Sequence, residues 1–135
     1  MKDTLPGRSR GRIGLLSARI LIADDSLSSR ELLRFILEDS GYEVIEAADG
    51  EQVIERTPIF NPHLVIVDLH MPKLDGWAVV IALRKLPSCK KTPIVALTAA
   101  PSDAVPEKMI SAGFTDYLIK PIGPARLRQC IASLL

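Results

Sequence analysis

Apolar residues cluster in short runs that are separated by longer stretches of mixed character. Three runs are apolar at every position, so both faces of a strand formed there would be buried, as in the centre of a parallel sheet. These runs lie at residues 20–23, 64–67 and 94–97, and two shorter runs lie at 44–45 and 117–119. Each run is followed by a segment that can form a helix, an alternation typical of βαβ units. The pattern predicts an α/β fold built from five strand–helix units.

The residues at the helix ends predict where the helices lie. Ser28 and Glu31 have the spacing of a capping box and predict the start of the first helix, which ends near residues 40–41. Asp49 is predicted to cap the second helix, and Pro124 to open the last one. The apolar stripe of the first helix is formed by Leu32, Leu33, Ile36 and Leu37, and that of the last by Leu127, Cys130, Ile131, Leu134 and Leu135. We expect both stripes to face the sheet.

The fourth helix is expected to be short. Pro101 and Pro106 bracket the segment before it, and the residue preceding a proline avoids helical geometry. We therefore expect a helix near residues 107–112, closed by Gly113 in the left-handed conformation.

Composition restricts the classes of protein to consider. The 135 residues carry 17 Lys or Arg and 16 Asp or Glu, a net charge of +1, which gives no overall field to attract DNA or a membrane surface. One domain is expected at this length. No apolar run approaches the roughly 20 residues of a membrane span. Without a secretory signal or cysteines at metal-ligand spacing, a cytoplasmic protein is expected.

The chain is expected to divide into a flexible basic leader, residues 1–17, and a single domain, residues 18–135. Glycine and proline interrupt any helix in the leader, whose charged residues are mostly arginines. Both an inert tail and a docking arm are compatible with this composition. Because the last predicted helix ends the chain, we expect no output domain after it.

Polar side chains follow the predicted strands. Asp24 and Asp25 follow the first strand, Asp68 ends the third, Thr98 ends the fourth and Lys120 follows the fifth. Sites in parallel α/β sheets form beyond the carboxyl ends of the strands. We therefore expect three carboxylates, one hydroxyl and one ammonium at a single edge of the sheet.

Three adjacent carboxylates repel one another unless a cation lies between them. An oxygen-only ligand set without a His or Cys cluster favours Mg²⁺. A carboxylate beside Mg²⁺, with Lys120 and Thr98 directed at the same point, can accept a phosphoryl group. A passive structural metal site is the alternative, but it would leave those two side chains without a role.

Four segments resemble the receiver domain of response regulators, the CheY-like phosphoacceptor module of two-component signalling. They are ILIADDS at 20–26, LVIVDLHMPKLDG at 64–76, ALTA at 96–99 and DYLIKPI at 116–122. The resemblance covers about residues 18–135. It implies a flavodoxin-like, doubly wound (βα)5 fold whose five-stranded parallel sheet has the order 2-1-3-4-5.

The resemblance also implies roles for the residues at the sheet edge. Asp68 would be the phosphoacceptor, and Asp25 and Asp68 would bind Mg²⁺ directly. Asp24 would act mainly through metal-bound water, and the backbone carbonyl of His70, not its side chain, would complete the protein ligands. Lys120 would pair with the phosphoryl group.

A switch and a loop are implied as well. Thr98 would turn its hydroxyl onto the phosphoryl group, and Tyr117 would then turn inward. Partners would detect this change on the surface formed by the fourth helix, fifth strand and fifth helix. Architectural roles fall to Pro72, Asp75 and Gly76 in the loop after the third strand, and to Pro121, whose peptide bond with Lys120 would be cis.

Two positions depart from the commonest family pattern. The side chain of His70 faces the phosphoryl pocket by the resemblance, and either only its carbonyl matters or its imidazole orders or blocks the water that hydrolyses the phosphoryl group. Ala99 and Ala100 offer no polar side chain to position that water. We therefore expect a long-lived phosphoryl state.

The implied partners are a sensor histidine kinase or a histidine phosphotransfer protein as donor and an unidentified protein downstream, with the chain a monomer or a phosphorylation-dependent dimer. Catalysis would be limited to its own phosphorylation and dephosphorylation. An alternative is a receiver excised from a hybrid histidine kinase or larger regulator. A Mg²⁺-dependent aspartyl-phosphate phosphohydrolase would have an Asp where His70 stands. A nucleotide-binding domain would have a glycine-rich loop where Asp24 and Asp25 stand.

Overall fold

A computed structural model describes residues 17–135 of the chain. The predicted basic leader, residues 1–17, therefore lies outside the described residues except for Ser17. In the described part of the chain, no helix combines the length and apolar composition that a membrane crossing requires.

Five parallel strands form one sheet within residues 17–135. They are β1 (Arg19–Ala23), β2 (Glu43–Ala47), β3 (Leu64–Asp68), β4 (Ile94–Thr98) and β5 (Asp116–Ile119), in the order β2-β1-β3-β4-β5. The register places Ala23 beside Val67 of β3, and Asp68 beside Leu97 of β4. The predicted flavodoxin-like α/β fold and its strand order are confirmed.

A helix follows each strand in the described part of the chain. These helices are α1 (Leu27–Asp39), α2 (Gly50–Phe60), α3 (Gly76–Arg84), α4 (Pro106–Ala112) and α5 (Pro124–Leu134), with 3₁₀ turns at Pro87–Cys89 and Pro101–Asp103. Asp49 caps α2 as predicted, since its side chain accepts a hydrogen bond from the backbone N–H of Gln52 at 2.9 Å. Pro124 opens α5, also as predicted.

The predicted capping box of α1 is wrong. Ser26, not Ser28, is the N-cap, and its hydroxyl accepts a hydrogen bond from the N–H of Ser29 at 3.3 Å. The helix begins at Leu27, which places the core-facing stripe on Leu33, Ile36 and Leu37. Leu32, predicted as part of that stripe, is 55% exposed.

The short fourth helix is confirmed, with Pro106 as its first residue and Gly113 at φ +116° after its last turn. Arg84, near the end of α3, holds this C-terminal end in place. Its Nε and Nη2 donate to the carbonyl of Gly113 at 2.9 and 2.8 Å. Its Nη1 donates to the carbonyls of Cys89 and Thr92, each at 2.7 Å. One guanidinium thus joins α3, the start of β4 and the end of α4.

Each strand face supports its own apolar layer. Leu21 and Ala23 of β1 pack with the α2 and α3 side, whereas Ile20 and Ile22 pack with the α1 and α5 side. This division explains why the central strands are apolar at every position, because helices cover both faces. The α5 stripe is buried at Leu127, Cys130 and Ile131, while Leu135 at its end is 45% exposed.

Cys130 should make stability fall in alkaline solution. The Cys130 thiol is 1% exposed and lies 3.6 Å from the Asp116 carboxylate. Burial is the larger cause and the negative charge of Asp116 the smaller cause of a rise in its pKa from 9.0 to about 11. The unfolded chain therefore loses this proton first, so the free energy of unfolding falls between these pH values, by up to about 2–3 kcal/mol.

Urea unfolding below pH 9 and near pH 11 measures this loss. Cys130→Ala should lower stability at both pH values through its cavity but remove the additional alkaline loss. Equal pH dependence in the variant and the wild type would contradict the assignment.

Candidate functional site

The strand order brings the predicted polar residues to one edge of the sheet. Asp24 follows β1, Asp68 and Thr98 are the last residues of β3 and β4, and Lys120 follows β5. Because β3 lies between β1 and β4, the side chains that follow these strands are neighbours. Asp24, Asp68 and Thr98 are 0, 5 and 0% exposed. Buried groups of this kind need specific partners.

Lys120 bridges two of the carboxylates. Its Nζ donates to Asp24 Oδ2 and to Asp68 Oδ2, each at 2.7 Å. The Lys120 side chain is only 22% exposed, so the Coulombic attraction in these ion pairs is screened less than in surface pairs. Loss of either partner would leave a buried charge uncompensated. Lys120 lies beside Asp68 at the edge of the sheet.

The second oxygen of each bridged carboxylate accepts a backbone hydrogen bond. Asp24 Oδ1 accepts from the N–H of Ser26, and Asp68 Oδ1 from the N–H of His70, both at 2.9 Å. Each aspartate therefore binds the amide two residues further along the chain, which fixes the side chain as well as the turn. Arg30 Nη1 donates to the Asp24 carbonyl at 2.6 Å.

Burial raises the pKa of the Asp68 carboxyl, and the neighbouring Asp24 charge adds to the increase. The hydrogen bonds from Lys120 and from the His70 N–H act in the opposite direction but do not outweigh burial. Burial lowers the pKa of Lys120, but its hydrogen-bonded ion pairs with Asp24 and Asp68 together raise the pKa by a larger amount, so the net shift is upward. One ammonium shared by two buried carboxylates stays charged but neutralises neither completely.

Asp25 completes a cluster of three carboxylates. One oxygen from each of Asp24, Asp25 and Asp68 lies within 4.8 Å of the others, and Asp25 is the exposed member. The donor set is all oxygen and opens to solvent, which fits Mg²⁺, a cation that retains several waters in protein sites. These residues therefore suit the metal that the sequence predicts.

Thr98 and Tyr117 lie where the sequence places them, on neighbouring strands. The Thr98 hydroxyl donates to the carbonyl of Ala100 at 3.2 Å and accepts from the Ala100 N–H at 3.0 Å. Tyr117 is partly buried and packs against the apolar layer on the α2 and α3 side.

The loop after β3 packs closely against the backbone of Asp68. Asp75 caps α3 by accepting from the N–H of Ala78 at 2.9 Å, and the N–H of Gly76 donates to the Leu69 carbonyl at 3.0 Å. A Cβ on Gly76 would lie 2.6 Å from the Asp68 carbonyl oxygen, so only glycine fits this approach. Pro72 is exposed, and its carbonyl accepts from the N–H of Leu74 at 2.8 Å.

The peptide bond between Lys120 and Pro121 is cis, as the resemblance implies. The backbone N–H of Lys120 donates to the carbonyl of Thr98 at 2.8 Å, so the strand ladder continues to the residue before the cis bond.

One contact at the site was not predicted from the sequence. His70 Nε2 lies 2.9 Å from Asp103 Oδ2, joining the loop after β3 to the 3₁₀ turn before α4. The sequence indicated His70 but gave no signal for Asp103, because the two residues are far apart in the chain and both lie on irregular segments.

A comparison with known families identifies this arrangement. The family model of the response regulator receiver domain matches residues 20–132. The chain belongs to this family. The receiver match covers the five strands, except for Arg19 at the start of β1, and the residues gathered at their carboxyl ends.

Relatives of this receiver chain include a probable transcriptional regulator, ycf27, of Cyanophora paradoxa, 41% identical over 117 residues. The match covers 87% of this chain but only 48% of the regulator. The chain thus spans about half the length of that relative.

Solved structures of related proteins share the fold of this chain. The chemotaxis protein CheY4 of Vibrio cholerae has a TM-score of 0.83 at 34% identity, covering 89% of this chain and all of that one. The receiver domain of sensor histidine kinase PA1611 from Pseudomonas aeruginosa has a TM-score of 0.81 at 28% identity, covering 88% of this chain and 98% of that one. That structure holds a magnesium ion coordinated in its active-site cleft.

Proposed function

We propose that this receiver accepts a phosphoryl group on Asp68 from a phosphohistidine of a sensor kinase or phosphotransfer protein. The observation that carries the proposal is the Asp68 carboxylate, held 2.7 Å from the Lys120 ammonium and within 4.8 Å of two more carboxylates. A carboxylate nucleophile beside a fixed ammonium and a metal-binding cluster is suited to phosphoryl transfer.

In this step a carboxylate oxygen of Asp68 attacks the phosphorus. The new O–P bond forms an acyl phosphate, while the P–N bond of the donor breaks and the leaving imidazole keeps the bonding pair and takes up a proton. Lys120 pairs with the phosphoryl oxygens, giving up its bond to Asp68 Oδ2 while its contact with Asp24 holds it in position. The His70 N–H keeps the other Asp68 oxygen oriented.

Asp25 and Asp68 would bind Mg²⁺ directly, with Asp24 acting mainly through a metal-bound water and the His70 carbonyl as a further ligand. When bound, Mg²⁺ supplies positive charge that stabilises the oxygens of the transferring group. Asp24 has both carboxylate oxygens engaged, by the Ser26 N–H and by Lys120.

Phosphorylation would then change the surface read by a downstream protein. Thr98 would exchange its contacts with Ala100 for the phosphoryl group, and Tyr117 would turn inward. Exposed apolar side chains on this part of the molecule, Val105, Ile110 and Ile119, offer a surface for a protein partner.

A second setting has support from the comparisons. The PA1611 domain is the receiver of a sensor histidine kinase, so this chain could equally serve as the receiver of a hybrid kinase. The chemistry at Asp68 is the same in both settings, and they differ only in which protein supplies and which protein receives the signal.

Intact-mass measurement after incubation with acetyl phosphate tests the proposal. With Mg²⁺, the wild-type chain should gain the mass of one phosphoryl group. Addition of EDTA or the substitution Asp68→Asn should abolish the gain, because the first removes the metal and the second the nucleophile. Asp75→Asn is the matched control, since Asp75 caps α3 without joining the carboxylate cluster. A gain in Asp68→Asn equal to that of the wild type would contradict the proposal.

The phosphorylated chain should lose its phosphoryl group over minutes or longer. Thr98 is followed by two alanines, so no carboxylate or amide side chain at these positions holds a hydrolytic water. Removing acetyl phosphate by rapid desalting and following the intact mass measures the half-life. A half-life of seconds would contradict this expectation.

A further inference from the structure

A continuous series of polar contacts links the carboxylate of Asp68 to the hydroxyl of Thr98 through two loops. Asp68 Oδ1 accepts from the N–H of His70 at 2.9 Å, and the His70 ring reaches Asp103 Oδ2 at 2.9 Å. The N–H of Asp103 donates to the Ala100 carbonyl at 2.9 Å. The Ala100 N–H in turn donates to Thr98 Oγ1 at 3.0 Å. The contact between His70 and Asp103 is the one step of this path that joins two side chains.

That contact joins two segments that lie far apart in the chain. His70 belongs to the loop after β3, whereas Asp103 belongs to the 3₁₀ turn Pro101–Asp103 before α4. The side chains are 65% and 36% exposed, so the contact adds little to overall stability. Its consequence is local, because it fixes the position of the β4–α4 loop relative to Asp68.

The same loop determines where the Thr98 hydroxyl points. Thr98 both donates to and accepts from the backbone of Ala100, and the Ala100 carbonyl also accepts from the Asp103 N–H. While this turn persists, the Thr98 hydroxyl keeps both of its hydrogen bonds to Ala100. Turning it toward a phosphoryl group requires both contacts to break, and the turn is easier to open when Asp103 is not held by His70.

We propose that His70 and Asp103 are positioning residues that bias the receiver toward its unphosphorylated conformation by holding Thr98 against Ala100. The inference rests on the proposed function for its effect on phosphorylation, but the loop contact itself does not. A contact that stabilises only one of two conformations shifts their equilibrium by its own free energy. By reciprocity, occupation of Asp68 by a phosphoryl group weakens the His70–Asp103 contact.

The measurement is the affinity of the Mg²⁺-loaded protein for beryllium trifluoride, an acyl-phosphate mimic, followed by Trp77 fluorescence. Asp103→Ala should raise the affinity about two- to five-fold, the range expected for loss of one exposed polar contact between side chains. Glu107→Ala is the control, because Glu107 is an exposed acid in the first turn of α4. It should leave the affinity unchanged.

Further variants separate positioning from a general loosening of the loop. His70→Ala and the double variant should show that the two substitutions are not additive, since each removes the same contact. In a Thr98→Ala background, Asp103→Ala should have no effect on affinity, because the hydroxyl that the loop holds is absent. Additive effects, or an undiminished gain without Thr98, would overturn the inference.

Hydrogen exchange of the metal-free protein tests the contact without any phosphoryl chemistry. Asp103→Ala should speed exchange of the Ala100 amide about two- to five-fold, whereas Glu107→Ala should not. If the wild type binds no mimic but this acceleration is seen, the proposed function fails and the loop assignment stands. Unchanged exchange at the Ala100 amide overturns the inference whatever the mimic does.

Discussion

Lys120→Met is expected to lower the free energy of unfolding of the metal-free protein by about 3 kcal/mol at neutral pH. The substitution leaves two buried carboxylates, Asp24 and Asp68, without their shared counterion. Removing one partner of a buried ion pair costs about 3–5 kcal/mol, and the 22% exposure of Lys120 places this site toward the lower end. Chemical denaturation of the wild type and the variant measures the difference.

The deficit should depend on pH and on Mg²⁺. Without the ammonium, the pKa of the Asp68 carboxyl rises further in the folded state, so stability is retained at low pH and lost as the pH rises. Saturating Mg²⁺ should recover much of the loss, since a ligand that binds only the folded state stabilises it. Phosphorylation should remain impaired even with Mg²⁺, because the cation that pairs with the phosphoryl oxygens is missing.

Lys73→Met is the matched control. Lys73 also lies between two carboxylates, 3.6 Å from Asp49 Oδ2 and from Glu51 Oε1, but its side chain is 57% exposed. Exposed ion pairs contribute little, so this variant should unfold and become phosphorylated like the wild type. An equal loss of stability in both lysine variants would contradict the assignment of Lys120 as the counterion of a buried pair.

Gly76→Ala is expected to destabilise the fold by about 1–3 kcal/mol and to slow phosphorylation of the molecules that remain folded. The added Cβ would lie 2.6 Å from the Asp68 carbonyl oxygen and 2.8 Å from Leu69 Cα. Both neighbours are backbone atoms, so the strain is relieved only by moving the end of β3 or the start of α3. Either movement displaces the acceptor carboxylate relative to Lys120.

Gly123→Ala provides the comparison. A Cβ on Gly123 meets no atom within 4 Å, so stability and phosphorylation rate should both stay close to wild type. Thermal unfolding combined with the rate of mass gain from acetyl phosphate tests both glycines. If Gly76→Ala lost stability but kept the wild-type rate in its folded fraction, the coupling between this loop and Asp68 would be refuted.

The sheet and its site edge were largely predictable because their signals are local. Consecutive apolar positions at 64–67 and 94–97 are typical of a strand with both faces covered, and Asp68 and Thr98 directly end those strands. Parallel topology then places Asp24, Asp68 and Lys120 at the same edge of the sheet. The strand order itself came from the resemblance, since apolar runs do not specify which strands are neighbours.

The features that were missed depend on tertiary contacts or on competing local choices. Ser26 and Ser28 are both acceptable helix caps, and the choice falls on Ser26 because the Asp24 side chain already holds the Ser26 N–H and turns the chain into α1. Leu32 has helical spacing but faces away from the sheet. The contact between His70 and Asp103 joins two irregular segments, for which a sequence carries no periodicity.

The measurement that tests the central claim most directly is the location of the phosphoryl group within the chain. Borohydride reduces an acyl phosphate to an alcohol, so peptide mapping after treatment with acetyl phosphate, Mg²⁺ and borohydride marks the phosphorylated aspartate. We expect reduction at Asp68 in the presence of Mg²⁺ and no reduction there when EDTA replaces Mg²⁺. Reduction at Asp24 or Asp25 with Asp68 intact, or a modification that persists without Mg²⁺, would contradict it.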